Sequence, residues 1–146
     1  MRYLCIDLGD KRTGLALGDP EMRMASPLEV LEVPVTHDAG KALLAALVKA
    51  ARESGATALV VGLPLNMNGT EGPRAKMVRE WGARIGAATS LPVHYQDERL
   101  STAAADWQMA RTGMTRGEKK ARRDAIAAAG ILKEFLDGLT RGNQEV

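Results

Sequence analysis

Asp7, Glu98 and Asp124 are carboxylates set into apolar surroundings, and they define the chemistry open to this chain. Asp7 stands toward the end of the run Tyr3-Leu4-Cys5-Ile6, where an unpaired charge is costly and calls for a metal, a cation or a cleft. An ion pair with Lys11 or Arg12 beside the following turn is the simpler alternative. In the last helical pattern Ala128, Ile131, Leu132, Phe135, Leu136 and Leu139 share one face, and Asp124, four residues before Ala128, lies on it too. Its simpler role is that of a first-turn acid favoured by the helix dipole, or of a cap. At Asp97-Glu98, a strand end, alternation sends the two side chains to opposite faces, so one joins the other acids. Glu98 has the longer reach; Asp97 has Arg99 two residues on as an ion-pair partner. Three carboxylates without a histidine or thiol form a hard-oxygen set, suited to Mg2+ or Mn2+ rather than zinc. Such ions activate water and stabilise the leaving oxygen in phosphodiester hydrolysis, and they let neighbouring acids stay ionised together.

The surrounding charge agrees with that chemistry. Net charge is only +2, but Arg111, Arg116, Lys119, Lys120, Arg122 and Arg123 are opposed by Glu118 alone, making a basic loop just before Asp124. It is placed to hold a sugar-phosphate backbone over the acids. The five aromatics, Tyr3, Trp81, Tyr95, Trp107 and Phe135, are too few for a single-strand binder built on stacked bases. Two histidines and one cysteine are too few for a usual zinc site, and no motif supports a Ser-His-Asp or Cys-His engine. Cys5 reads as a small buried hydrophobe. No run is long enough to span a membrane and no signal-peptide order opens the chain, so a cytoplasmic protein is expected.

The elements that must position these groups fit one domain over residues 1–139 with a polar, fraying tail at 140–146. Residues 3–8 and 13–18 read as a hairpin and 28–33 as a third strand. A helix is expected over 38–54, ended by Gly55, then a strand at 58–63 forming the centre of the sheet. The turn-rich stretch 64–73 leads into a helix to about 88, a strand at 91–96, a helix over 101–111 and a last helix over 122–139. Antiparallel strands followed by strands alternating with helices predict an α/β fold. Its mixed sheet has about five strands, the first three antiparallel, with helices on its faces. Ligands of such sheets gather at the carboxyl ends of the parallel strands.

Four blocks resemble the YqgF family, also called RuvX: Ile6-Asp7-Leu8-Gly9 through Arg12-Thr13-Gly14; Val61 to Asn66 with Gly69 to Pro73; Asp97-Glu98-Arg99-Leu100-Ser101-Thr102; and Asp124-Ala125 with Ala127-Ala128 and Ile131-Leu132. They occur in order from about residue 3 to 137. The resemblance implies a ribonuclease H-like fold in a bacterial cytoplasmic protein. It further implies a nuclease that resolves Holliday junctions or matures the 5′ end of 16S ribosomal RNA. Carried over by position, the catalytic and metal-holding acids are Asp7, Glu98 and Asp124, with Asp97 as a possible auxiliary acid. The Asn66 to Gly72 loop and Arg74 look suited to gripping a phosphate, or form a plain connector. Lys11, Arg12, Asn66, Arg74, Arg99, Arg116, Lys119, Lys120, Arg122 and Arg123 make up the expected nucleic-acid-binding set. The expected partner is precursor 16S rRNA or branched DNA, met by a monomer or weak homodimer and by no membrane. Two other readings stand beside it: a non-catalytic RNA-binding or ribosome-assembly factor on the same fold, and an actin-like phosphotransferase, which 146 residues are too few to complete.

Overall fold

In a computed structural model the chain is described over residues 1–21, 23–99 and 116–145, with side chains for all of these but 116–121 and 140–145. The first apolar run is β1 (Tyr3–Leu8), followed by β2 (Thr13–Asp19) and β3 (Met24–Leu31). Then come α1 (Lys41–Ser54), β4 (Ala58–Leu63), α2 (Pro73–Thr89), β5 (Val93–Asp97) and α3 (Arg116–Glu145). A short turn of 3-10 helix at His37–Gly40 leads into α1, and Gly55, at φ 70°, takes the left-handed conformation that ends it. The helix expected over 101–111 lies outside the described residues.

The five strands form one sheet in the order β3-β2-β1-β4-β5. Pairing is antiparallel within β1, β2 and β3 and parallel from β1 to β4 and from β4 to β5. Strand alternation divides the core into two layers. Leu4, Ile6, Leu8, Leu59, Val61 and Leu63 pack with Leu43 and Leu47 of α1 and Val78, Trp81 and Ile85 of α2. On the other face Tyr3, Cys5, Ala16 and Val60 meet Ala128, Ile131, Leu132 and Leu136 of α3. Odd-numbered β1 positions thus look toward α3, and Asp7 is one of them.

Three expectations are corrected. The centre of the sheet is β1, not the strand at 58–63: both are largely apolar, and β1 takes the middle by pairing antiparallel with β2 and parallel with β4. The third strand covers 24–31 rather than 28–33; a register shift between Leu15 and Ala16 re-aims it, and Pro27 is tolerated because β3 is an edge strand. The last helix begins at Arg116 and runs to Glu145, so residues 116–123 are helical rather than a basic loop. Lys, Arg and Glu are good helix formers, and Gly117 is the one weak residue among them.

Candidate functional site

Three elements bring the acids to the same end of the sheet, Asp7 and Glu98 in contact and Asp124 near enough for its charge to bear on Asp7. Asp7 is on the α3-facing side of β1, beside its C-terminal end. Glu98 follows β5 directly and shares the parity of His94 and Gln96; its backbone N–H donates to the Leu63 carbonyl at 3.3 Å, continuing the ladder one residue past the strand. Between β1 and β5 runs β4, and there Gly62 presents no side chain. A Cβ at Gly62 would stand 3.0 Å from Glu98 Oε2 and 2.8 Å from Ile131 Cδ1. The missing side chain is therefore what lets the Glu98 carboxylate lie across β4 and hydrogen-bond Asp7.

Asp124 arrives from the opposite wall. The α3 backbone crosses β2 at Gly14, where a Cβ would overlap the Asp124 carbonyl, so glycine at this position permits the approach. Gly14 is also the β2 partner of Asp7 in the ladder. Asp124 sits in the third turn of α3, eight residues from its start, which removes the capping and first-turn roles. Its carboxylate is 3.4 Å from Arg12 Nε, from the tip of the β1–β2 hairpin.

The electrostatics record crowding. Burial first, then the charges of Glu98 and Asp124, push the Asp7 carboxyl from 3.8 up to about 7, with the Arg74 guanidinium opposing. Burial likewise raises Glu98 above its usual value, again against Arg74. Asp7 and Glu98 are thus hydrogen-bonded to one another, with both carboxyls raised. Burial pushes the neighbouring Cys5 thiol up as well, which keeps it inert.

Of the other expected site residues, several are engaged elsewhere. Asp97 points to the opposite face and is bidentate to Arg99, Nε to Oδ2 at 2.9 Å and Nη2 to Oδ2 at 2.7 Å with Nε to Oδ1 at 3.1 Å; this ion pair holds its carboxyl below the usual range. It does not join the three acids. Arg74, in the first turn of α2, donates to Asp10 at 2.9 Å and to the Leu8 carbonyl at 3.1 Å, binding the hairpin tip to that helix. Asn66 turns its amide to Thr70 at 3.0 Å. Arg122 donates to the Pro27 carbonyl at 3.1 Å, while Lys11 and Arg123 are exposed. The side chains of Arg116, Lys119 and Lys120 lie outside the described residues, although their backbone forms the first turns of α3. Sequence reasoning missed Gly14, Gly62 and Asp10; for the glycines the available signal was their place inside apolar strands, which marks close approach.

The fit to a divalent cation rests on the donor set. All three groups offer carboxylate oxygen, and two of them touch, which demands a proton or a cation between them. Among the described residues no three such groups converge into a ready-made cage, because Asp124 is drawn toward Arg12. Asp7, Glu98 and Asp124 are all half-buried. A concavity of about 660 Å³ occurs instead on the outer side of α1, lined by Leu44, Val48, Arg52 and Ala88, far from these groups.

Comparison with known proteins follows the same line. Residues 1–138 match the family described as RuvX, Holliday junction resolvase. A protein of Anaeromyxobacter sp. (strain Fw109-5), named as a candidate pre-16S rRNA nuclease, is 45% identical over 138 residues, covering 94% of this chain and 98% of its own. One of Roseiflexus sp. (strain RS-1) with the same name is 38% identical over 136 residues, covering 93% and 94%. Among solved structures, the RuvC of T. thermophilus in complex with Holliday junction substrate superposes with a TM-score of 0.65 at 17% identity, over 96% of each chain. That likeness gives the fold, ribonuclease H-like, and the fold alone.

Proposed function

Since this chain belongs to the RuvX family, we propose that it is a divalent-metal-dependent endonuclease that cuts phosphodiester bonds in structured nucleic acid, its substrate being the 5′ region of precursor 16S rRNA. The observation that carries the reading is the Asp7–Glu98 carboxylate pair laid across Gly62, with Asp124 facing it from α3. The RNA assignment is supported by the names of relatives at 38% and 45% identity, against 17% for the junction-bound RuvC.

Asp7, Glu98 and Asp124 would hold Mg2+ or Mn2+, which when bound supplies an activated water and charge neutralisation at the phosphoryl oxygens. The chain's own groups do the rest. The Arg74 charge favours the ionised forms of Asp7 and Glu98, the forms a cation needs. Arg12 shares Asp124 with solvent and is within reach of a phosphate that approaches the acids. Behind Asp124, the first turns of α3 place Arg116, Lys119, Lys120, Arg122 and Arg123 at the positive end of a helix dipole. Cations gathered at that end repel one another and the dipole, and a polyanion relieves both.

The test is incubation of purified protein with precursor 16S rRNA and with four-way DNA junctions in Mn2+, with cut sites mapped against an Asp7→Asn control. Specific RNA cleavage that Asp7→Asn abolishes is the expected result. Cleavage persisting in that variant would refute the assignment. Symmetric cutting of the junction alone would move the substrate to branched DNA and require two copies acting together.

A further inference from the structure

We propose that Asp97 and Arg99 act as one positioning clasp, which locks the loop over residues 64–72 to the segment that carries Glu98. For its catalytic consequence the inference rests on the proposed nuclease function; its structural half stands independently.

Arg99 is exposed, yet its donors are almost fully committed to partners within the chain. Its Nε and Nη2 hold both oxygens of Asp97, and its backbone N–H donates to Asp97 Oδ1 at 2.9 Å. Nη1 bridges outward to the carbonyls of Asn66 and Met67, each at 3.1 Å. Of the five N–H bonds in a guanidinium, this leaves one for anything else. A phosphate ligand needs that fork free, and an auxiliary acid needs its oxygens free; neither residue meets its condition.

The two residues flank Glu98 on the face away from the acids. The ladder of β5 ends at Asp97, and beyond it, among the described residues, the Glu98 N–H bond to Leu63 is the last backbone tie from this segment to the sheet. The clasp adds a second tie from the other side. It works because the loop it grips is itself rigid. Asn66 and Gly69 close a turn through Asn66 N–H to the Thr70 carbonyl and Gly69 N–H to the Asn66 carbonyl, both at 2.9 Å. The Thr70 hydroxyl donates to Asn68 Oδ1 at 2.6 Å. At the far end Glu71 is bidentate to Arg79 of α2, at 2.6 and 2.9 Å. Asparagine, glycine and threonine give a loop this order only through such bonds. Arg99 therefore joins a braced loop to a short post-strand segment, and the position of Glu98 over Gly62 depends on the junction.

The experiment uses Asp97→Asn, Arg99→Gln, Arg99→Lys and the Asp97→Asn/Arg99→Gln double variant. Amide exchange at Asn66 and Gly69 is measured in EDTA, and cleavage kinetics in Mn2+. A clasp predicts exchange at those amides faster by about tenfold in every variant. It predicts kcat lower by roughly 10- to 100-fold with KM nearly unchanged. The double variant should be no worse than either single one. Arg99→Lys should not rescue, because an ammonium cannot span carboxylate and carbonyls together. Unchanged exchange would overturn the inference. So would a raised KM and a salt slope reduced by about 1 in Arg99→Gln alone, the mark of a phosphate contact, or weakened Mn2+ binding in Asp97→Asn alone, the mark of a ligand. If the wild type cuts nothing, the proposed function fails and the exchange data alone decide whether the clasp exists.

Discussion

Replacing Asp7 with Asn removes a charge that the metal-free fold holds against its own environment. The carboxyl is pushed from 3.8 to about 7 by burial and by two neighbouring acids, so keeping it ionised at pH 8 costs roughly 4 kcal/mol at the limit. A carboxyl raised in the fold stabilises through its protonated form. That contribution is fully present below about pH 4 and is lost as pH rises through about 7. In EDTA the wild type should thus lose stability between pH 5 and pH 8. Asp7→Asn should not, apart from a smaller slope of the same sign from Glu98, whose carboxyl is raised too. With a urea m-value of about 1 to 3 kcal/mol per molar, the variant's unfolding midpoint at pH 8 should exceed the wild type's by up to roughly 1 to 4 M. Mg2+ should narrow the gap by stabilising the wild type, and the more stable variant should be catalytically dead. Urea titrations followed by circular dichroism at pH 5 and 8, with EDTA or Mg2+, read all of this. A variant no more stable than wild type at pH 8, or a wild type equally stable at both pH values, would refute the idea that Asp7 is a strained buried acid.

Three further tests address the frame around it. Gly62→Ala should fold within about 1 kcal/mol of wild type, since its Cβ meets the ends of the Glu98 and Ile131 side chains. Displacing Glu98 should still lower cleavage by about tenfold or more; unaltered kinetics would mean that Glu98 does not need that space. Gly14→Ala meets the α3 backbone instead, so urea unfolding should show a loss of roughly 1 to 3 kcal/mol. Lys119→Ala with Lys120→Ala should weaken nucleic-acid binding and flatten its salt dependence by about 1 to 2 in log–log slope, read by fluorescence anisotropy; an unchanged slope would take these residues off the substrate path.

Much of the site was legible because charges in apolar surroundings are rare. Asp7 in a strand and Asp124 on an apolar helical face stand out one residue at a time, and the parity of Asp97 and Glu98 says that only one of the two can join them, without saying which. What was hidden depends on partners far along the chain. Apart from Asp7 the apolar runs at 3–8 and 58–63 look alike, and only pairing on both edges tells that β1 is central. The start of α3 was obscured by reading a run of like charges as a loop. Gly62 and Gly14 look like ordinary weak points in strands until the residues crossing them, Glu98 and Asp124, are known. Arg99 looked like one more cation for phosphate, and nothing local revealed that carbonyls more than thirty positions earlier occupy its fork.

The acids come from residue 7, residue 98 and the last helix, and this spacing orders events during synthesis. A growing chain can close the β1–β2 hairpin early and add β4 and β5 later, yet it lacks Asp124 until α3 has emerged and packed across Gly14. The three-acid set is thereby withheld until α3 has been made and has packed on the sheet. A chain stalled before α3 presents all five strands of the sheet, with Asp7 and Glu98 in place and Asp124 still to come.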